Sequence, residues 1–387
     1  MCHSLPSPRD TTKLAIDAII ASQYPDLRAI PEYGPSIELS AVWDAMRVFP
    51  DLDYSAFLNT QLDALVALPT STAYKVLHNI SVPWSSSIGD QVGLFPIAYL
   101  SRALHLNNSD LQSQDWQLAL RVAEEYVLAW PLRLPDGTIS RHNGWAPEPD
   151  VNASFLWQDD QFMGIALLAR LARHPALPLA TRQRYQDFVA AQHALFAAHC
   201  QDSATGLYKH GYNHATGHHS CCYWGRANGW VMMAHAEVAL ALAAVQPPHP
   251  SLPAVLAVWT AQAAALAALQ PSSGDRRFHQ VLDAPGTFQE TSVTAMACYS
   301  LATGITHGLL PRAQFQAVLQ GAWAGVAAAV DPSSGQVQGI CEGTGIGNST
   351  AFYQARGTAY ATSSPGLGSV LRCAIAMGEY TAALEAH

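Results

Sequence analysis

Residues 157–172 read WQDDQFMGIALLARLA, and this stretch decides the fold. Its apolar residues lie on every side of a helix, and Arg170 is the only charged residue after the first turn. A helix that is hydrophobic all round has to be buried on nearly all sides. Trp157 and the doublet Asp159-Asp160 stand at its start. The stretch therefore predicts a central helix with chemically active residues at its entrance.

Segments of the same kind, rich in Gly, Ala and Met, begin near residues 36, 88, 226, 290 and 366. Segments with a polar face alternate with them, and Pro- or Gly-containing breakers separate the two kinds. The predicted helices lie near 11–22, 36–48, 53–67, 88–105, 114–129, 158–173, 179–200, 226–244, 251–268, 289–303, 312–330 and 366–385.

Twelve helices of two alternating kinds predict six hairpins. Closing them into a ring buries each inner helix, whereas an open solenoid would need polar capping repeats at its ends. No linker divides the chain into compositionally distinct parts. We therefore predict an all-α fold, a six-hairpin α/α toroid (an α/α six-barrel), as a single domain over residues 1–387. Residues 1–10 are expected to form a flexible tail.

Composition excludes several functional classes. Apolar residues make up 49% of the 387 residues and charged residues 13%, a balance typical of a large packed interior. The net charge is −9 with no basic cluster, so we expect no nucleic-acid partner. The most apolar segment, Leu252–Leu269, is expected to be a packed helix and not a membrane span. The polar N-terminus predicts a cytoplasmic protein. The seven scattered cysteines do not indicate a disulfide framework.

Aromatic, acidic and cationic residues concentrate just before the inner helices. If all inner helices run in the same direction, the loops that lead into them meet at one end of the ring, which we call the mouth. Flat rings stack on sugar faces while carboxylates bind hydroxyls and move protons, so the mouth predicts a carbohydrate pocket. The residues concerned are Trp84, Asp90, His142, Trp145, 157–160, 210–212, 224–226, 290–292, 343–345, Tyr353 and Arg356.

Each candidate also has a structural interpretation. Asp159 and Asp160 suit helix capping, although in a doublet one residue can cap while the other faces the pocket. Asp90 could likewise cap its helix or face the pocket. Two carboxylates at the starts of neighbouring inner helices would make an acid/base pair. Arg226 at a helix start opposes the macrodipole and calls for an anionic partner, either structural or a ligand carboxylate. The histidines between His210 and His219 match no standard zinc spacing, so no metal is predicted.

Taken in order, these motifs resemble glycoside hydrolase family 105, the unsaturated rhamnogalacturonyl hydrolases, and more distantly family 88, the unsaturated glucuronyl hydrolases. The resemblance covers most of the chain. The motifs are 90–93, 157–164, 210–212, 224–230, 290–296, 343–345, Tyr353 and Arg356.

The resemblance implies an α/α-barrel enzyme that removes a 4,5-unsaturated uronic acid from the non-reducing end of lyase-generated oligosaccharides. A carboxylic acid protonates C4, water adds at C5, and the hemiketal collapses to release the neighbouring sugar, without metal or cofactor. By this similarity Asp159 is the acid and then the base, and Asp90 is the second carboxylate. The implied sugar-binding residues are Arg226, Trp224, Trp230, His210 and His142, with Trp157, Asp160 and Tyr353 beside them at the mouth.

Two other functional classes stay open on the sequence alone. One is an α/α-barrel sugar epimerase or an ordinary glycosidase, which would act on saturated sugars. The other is a non-catalytic, carbohydrate-binding helical protein, which would show no turnover. The expected partner in the main hypothesis is an oligosaccharide, with no membrane partner, and the expected assembly is a monomer or homodimer.

Overall fold

The structure is a computed structural model that describes residues 6–23, 33–82, 88, 94–142, 154–361 and 364–386. Within these ranges the chain is predominantly helical, which confirms the all-α prediction. The helices are α1 Pro8–Gln23, α2 Tyr33–Val48, α3 Ser55–Ala67, α4 Thr72–Leu77, α5 Phe95–His105, α6 Gln114–Arg121, α7 Asp160–Ala172, α8 Leu179–Cys200, α9 Gly225–Ala243, α10 Leu252–Leu269, α11 Thr291–Thr306, α12 Arg312–Ala329, α13 Thr350–Gln354 and α14 Ser364–Glu385. A π-helical turn, Val122–Val127, continues α6.

Every predicted helical segment overlaps one of the longer helices. The described part of the fourth predicted helix begins at Phe95, because residues 89–93 lie outside the described ranges. Helix α1 begins at Pro8, so the last three residues of the predicted N-terminal tail are helical. Two short helices, α4 and α13, have no counterpart in the prediction.

Six helices form the inner ring: α2, α5, α7, α9, α11 and α14. In this ring α14 packs against α2 and α11, α2 against α5, and α9 against α7 and α11. The inner helices are buried almost all round, as the sequence predicts; in α11 every residue from Thr291 to Ile305 is buried. Gly229 of α9 allows a close approach, since a Cβ there would lie 2.6 Å from the sulfur of Met296 on α11.

The outer helices bury one face only. In α10 the buried residues recur at helical spacing, and they are Val255, Trp259, Gln262, Ala263 and Leu266. By length and composition alone, α10 is long and apolar enough to cross a membrane. Its buried face packs against α9 and it also contacts α8 and α12, which is the position of an outer-ring helix.

In the described ranges, five short strands lie in the loops between the helices. β1 (Phe155–Trp157), β2 (Gly211–Asn213) and β3 (His218–His219) form an antiparallel sheet in the order β1-β2-β3. Trp157 pairs with Gly211, so this sheet joins the chain that enters α7 to a loop that precedes α9. β4 (Val337–Cys341) pairs antiparallel with β5 (Thr358–Ala361).

A network of buried charges lies at the end of the ring where the inner helices finish. Glu237 on α9 accepts hydrogen bonds from Arg170 at 2.7 Å, Arg173 at 2.7 Å and the Tyr299 hydroxyl at 3.0 Å. Asp44 on α2 accepts from Arg372 on α14 at 2.8 Å. Arg170 also donates to Asp44, at 3.3 Å, so these contacts join five of the six inner helices.

Burial alone would raise the pKa of both carboxyls in this network. The surrounding guanidinium groups instead lower the pKa of Glu237 to about 2 and that of Asp44 to about 2. Beside them lies a central cavity of about 380 Å³ lined by residues from all six inner helices. This cavity is at the opposite end of the ring from Asp159, so it is separate from the predicted site.

Candidate active site

The predicted site lies where inner helices begin. Asp159 immediately precedes α7, Trp224 immediately precedes α9, and Glu290 immediately precedes α11. The β1-β2 pairing brings His210, the residue before β2, beside Asp159. Four chain segments that are far apart in sequence thus meet at one end of the ring.

His210 is the centre of this arrangement. Its Nε2 atom lies 3.4 Å from Oδ2 of Asp159, and its Nδ1 atom lies 2.8 Å from the hydroxyl of Tyr353. The ring centroid is 4.4 Å from that of Trp224 and 5.5 Å from that of Trp157. His210 is completely buried, and the Asp159 side chain is 13% exposed.

The contacts of Tyr353 favour one tautomer of His210. The Gly347 amide donates to the Tyr353 oxygen at 3.0 Å, and the phenolic hydrogen has Nδ1 of His210, at 2.8 Å, as a nearer acceptor than the Gly347 carbonyl, at 3.5 Å. Burial raises the pKa of Tyr353, so this hydroxyl keeps its hydrogen at neutral pH. A neutral His210 then carries its own hydrogen on Nε2, the atom that faces Asp159.

The protonation of Asp159 reflects two opposing effects. Burial alone would raise its pKa, but the hydrogen bond and charge of His210 together with the charge of Arg141 hold the pKa below its usual value. The ligand-free site therefore favours the carboxylate. Apolar, aromatic surroundings by themselves would raise the pKa of Asp159, and the contact with His210 and the charge of Arg141 reverse that effect.

Several buried polar atoms in this site have no hydrogen-bond partner among the described residues. They include Nε1 of Trp157 and Nε1 of Trp224, and Oδ2 of Asp159 and Nε2 of His210 have only each other, at 3.4 Å. Buried polar groups in folded proteins are almost always hydrogen-bonded, so unsatisfied groups call for an explanation. Two indole donors, an imidazole and a carboxylate in one place match the polar groups that a sugar ring would satisfy.

The two aspartates of the doublet have separate surroundings. Asp160 is fully buried and accepts two hydrogen bonds from Arg141, at 2.5 and 2.7 Å. The capping interpretation, which the sequence left open, does not hold for Asp159. Asp159 has helical dihedral angles, φ −54° and ψ −35°, and makes no side-chain cap bond, because such a bond requires an extended residue. The predicted substrate contact of Asp160 stays a prediction.

Arg226 has structural partners within the site. Its Nε donates to the Ser292 hydroxyl at 3.1 Å, its Nη2 donates to the Cys341 carbonyl, and Glu290 lies 3.8 Å away. Its guanidinium also lies over the Trp224 ring, 5.3 Å from the centroid. Glu290 supplies the anionic partner that an arginine at a helix start requires.

The remaining predicted residues are placed less directly. Trp230 is 1% exposed and stacks on Phe162 in the core, and His142 is exposed at the end of a described range. Their predicted sugar contacts stay predictions. Asp90, the second catalytic candidate, lies outside the described residues, as do Trp84 and Trp145.

The loop rich in histidine and cysteine lies beside the site. Cys221 and Cys222 form a disulfide, which the sequence alone did not indicate, and Cys222 packs in the same apolar cluster as Trp224 and Tyr353. Among the residues that the structure describes, no group of three or more His, Cys, Asp or Glu side chains is arranged to hold a metal ion. In the glycine-rich loop, Ile346 packs against Phe155.

Replacing Tyr353 with Phe is expected to lower kcat/KM about tenfold, the worth of one buried hydrogen bond that orients a catalytic side chain. The variant loses the phenolic hydrogen that holds His210 Nδ1 and therefore the orientation of Nε2. Tyr380→Phe is the matched control, because the Tyr380 hydroxyl is buried and has no partner among the described residues. Equal activity of the two variants would contradict the orienting role of Tyr353.

Comparison with known proteins places this geometry in context. Residues 103–381 match the model of Glycosyl Hydrolase Family 88. The unsaturated rhamnogalacturonyl hydrolase YesR of Bacillus subtilis (strain 168) is 30% identical over 232 residues, which are 59% of this chain and 61% of that protein. The match thus spans less than two thirds of the length of this relative.

Solved structures share the fold at low sequence identity. A family 105 glycoside hydrolase from C. acetobutylicum ATCC 824 superposes with a TM-score of 0.75 at 20% identity, over 96% of this chain and 99% of that one. The unsaturated glucuronyl hydrolase from Bacillus sp. GL1 gives a TM-score of 0.65 at 12% identity, over 96% of both chains. These neighbours confirm the predicted α/α toroid.

Proposed function

Because the chain belongs to glycosyl hydrolase family 88, we propose that it removes a 4,5-unsaturated uronic acid from the non-reducing end of lyase-generated oligosaccharides. The observation that carries the proposal is the buried pair Asp159–His210, set between two indole rings and rich in unsatisfied polar atoms. A carboxyl group in such a place can transfer a proton to a sugar held against the rings. The relative YesR bears the name of a hydrolase of this type.

In the proposed reaction Asp159 supplies the proton and His210 orients it. The carboxylic acid of Asp159 protonates C4 of the ring double bond, and positive charge develops at C5 beside the ring oxygen. Asp159, now a carboxylate, accepts a proton from the water that adds to C5. The resulting hemiketal opens and releases the neighbouring sugar. Asp90 is proposed as the second carboxylate on the strength of the sequence resemblance.

The substrate itself helps to protonate Asp159. In the ligand-free protein the pKa of Asp159 is lowered, so at neutral pH the group is mostly ionised. An unsaturated uronic acid carries a carboxylate, and a second negative charge in a buried site disfavours ionisation of the first. Binding is therefore expected to raise the pKa of Asp159 toward the working pH, which readies the acid only when substrate is present.

Arg226 and the aromatic residues are proposed to bind the sugar. The structure gives partners to Nε and Nη2 of Arg226, and Nη1 remains to bind an anionic group beside Trp224. Trp157 and Trp224 supply ring faces and indole donors. Each contact is made by a side chain that packing already holds in position.

A substrate panel tests the proposal. Oligosaccharides released by lyases from pectin, ulvan, arabinogalactan and glycosaminoglycans would be incubated with the protein, and loss of the double-bond absorbance followed. Saturated oligosaccharides of matching composition are the control. We expect turnover of at least one unsaturated substrate and none of the saturated ones. Turnover of saturated sugars alone would favour an ordinary glycosidase or an epimerase, and binding without turnover would favour a carbohydrate-binding protein.

A further inference from the structure

Arg141 is a buried cation that the sequence did not single out. It is 7% exposed, and its backbone pairs with Phe155 through hydrogen bonds of 2.9 and 3.0 Å. Its Nε and Nη2 atoms donate to the two carboxylate oxygens of Asp160, at 2.5 and 2.7 Å. The same guanidinium lies over the ring of Trp157, 4.4 Å from the centroid. The Arg141 side chain thus contacts Trp157 and Asp160, the residues on either side of Gln158-Asp159.

We propose that Arg141 is a positioning residue that gives the two adjacent aspartates different tasks, holding Asp160 and Trp157 in place and leaving Asp159 to exchange protons beside His210. This inference rests on the proposed function, which it deepens by separating the two carboxyl groups. A two-point contact between a guanidinium and a carboxylate fixes orientation as well as charge. Asp160 is held by such a contact, whereas among the described residues Oδ2 of Asp159 faces Nε2 of His210 alone, at 3.4 Å.

The charge of Arg141 offsets the charge that Asp160 places beside Asp159. The charged and titratable groups around Asp159 are His210 before β2, Tyr353 on α13, Arg141 beside β1, and Asp160 on α7. Without Arg141, Asp160 would be an unbalanced negative charge next to Asp159. Like charges disfavour each other's ionisation, so loss of Arg141 would raise the pKa of Asp159.

The contact with Trp157 gives Arg141 a second effect that can be measured separately. The guanidinium covers the Trp157 ring, and the indole is set edge-on to His210 at an interplanar angle of 65°. Stacking of arginine on an indole stabilises one ring orientation. Loss of the stack is expected to raise KM for a sugar that rests on Trp157, whereas loss of the charge is expected to change the pH dependence.

The first test needs no substrate. The carboxyl carbon of Asp159 would be titrated by NMR in the ligand-free protein, with Asp159→Asn used to assign the signal. In Arg141→Gln we expect the midpoint to rise by about one pH unit, the low end of the effect of one nearby charge. Arg133→Gln is the matched control, because Arg133 lies on the same segment and donates only to backbone carbonyls. An unchanged midpoint in folded Arg141→Gln would overturn the proposal.

Two further variants separate charge from contact and guard against misfolding. Arg141→Lys keeps the charge, so the midpoint should stay near the wild-type value while KM rises about three- to tenfold from the lost stack. The double variant Arg141→Gln/Asp160→Asn removes both charges, and its midpoint should return toward that of the wild type. A double variant that titrates like Arg141→Gln would contradict the balance of charges proposed here.

The pH dependence of kcat/KM tests whether the pKa of Asp159 controls turnover. If Arg141 sets the proton affinity of Asp159, the alkaline limb of the kcat/KM profile should move upward in Arg141→Gln by the shift that NMR measures. A purely structural role would lower activity at every pH alike. Inactivity of the wild-type protein on all unsaturated substrates would reject the proposed function and leave the titration result standing, so the two failures are distinguishable.

Discussion

Asp159→Asn is expected to lower kcat/KM on an unsaturated disaccharide by about 10³-fold or more, within the range for loss of a general acid. The amide has the shape of the carboxyl group but cannot donate the required proton or accept one from water. Because Asp159 makes no helix-cap bond and an amide oxygen can still face Nε2 of His210, the variant should fold normally. Loss of the double-bond absorbance, measured over several hours, gives the residual rate.

The control for this variant is Asp283→Asn, which changes the same residue type at an exposed position. Its rate should equal that of the wild type. Binding of the substrate to Asp159→Asn, measured by calorimetry, should persist, since the indoles and Arg226 are unchanged. Retention of more than a tenth of the wild-type rate in Asp159→Asn would contradict the assigned role.

Glu237→Gln is expected to lower the free energy of unfolding by about 3–5 kcal/mol, the usual cost of breaking a buried ion pair from one side. Glu237 is fully buried and neutralises Arg170 and Arg173. The amide would leave these two cations without their main counter-charge at the end of the ring opposite the active site. Urea denaturation at neutral pH measures the loss.

The matched control is Glu379→Gln, whose partner Arg47 is 58% exposed. An exposed pair of this kind contributes less than about 1 kcal/mol. Equal losses in the two variants would show that the buried network does not hold the ring together.

The same network sets the stability of the protein in acid. The pKa of Glu237 is lowered from 4.5 to about 2 and that of Asp44 from 3.8 to about 2. The unfolded chain therefore binds these protons first as the pH falls. Their contribution is fully present above pH 4.5 and is lost as the pH falls toward 2, and Glu237→Gln should flatten this dependence.

The helical framework was predictable because the burial of a helix leaves a regular pattern of apolar residues in the sequence. The inner helices are apolar all round, the outer helices bury one face, and both patterns repeat along the chain. The short strands were missed because strands of two to five residues carry too little alternation to be recognised. β1 and β2 exist because two distant loops pair across the mouth of the ring, and local sequence does not encode that pairing.

The candidate site was only partly predictable. The loops entering the inner helices identified Asp159, His210, Trp224 and Tyr353, which the structure brings together. From the sequence, Asp159 and Asp160 are nearly equivalent. The residue that gives them different surroundings is Arg141, which binds Asp160 and lies 19 positions before it. The backbone pairing of Arg141 with Phe155 of β1 places its side chain beside Asp160. Long-range ion pairs of this kind leave no periodic pattern in the sequence.

The most direct test of the central claim is the fate of C4 when the wild-type protein acts on an unsaturated disaccharide in heavy water. Proton transfer from a fixed Asp159 should place deuterium at one of the two stereochemically distinct positions on C4 of the released uronic acid, as read by NMR at early times. Direct displacement would release an intact unsaturated sugar that rearranges in solution and acquires deuterium at both positions equally. That equal distribution would contradict the account.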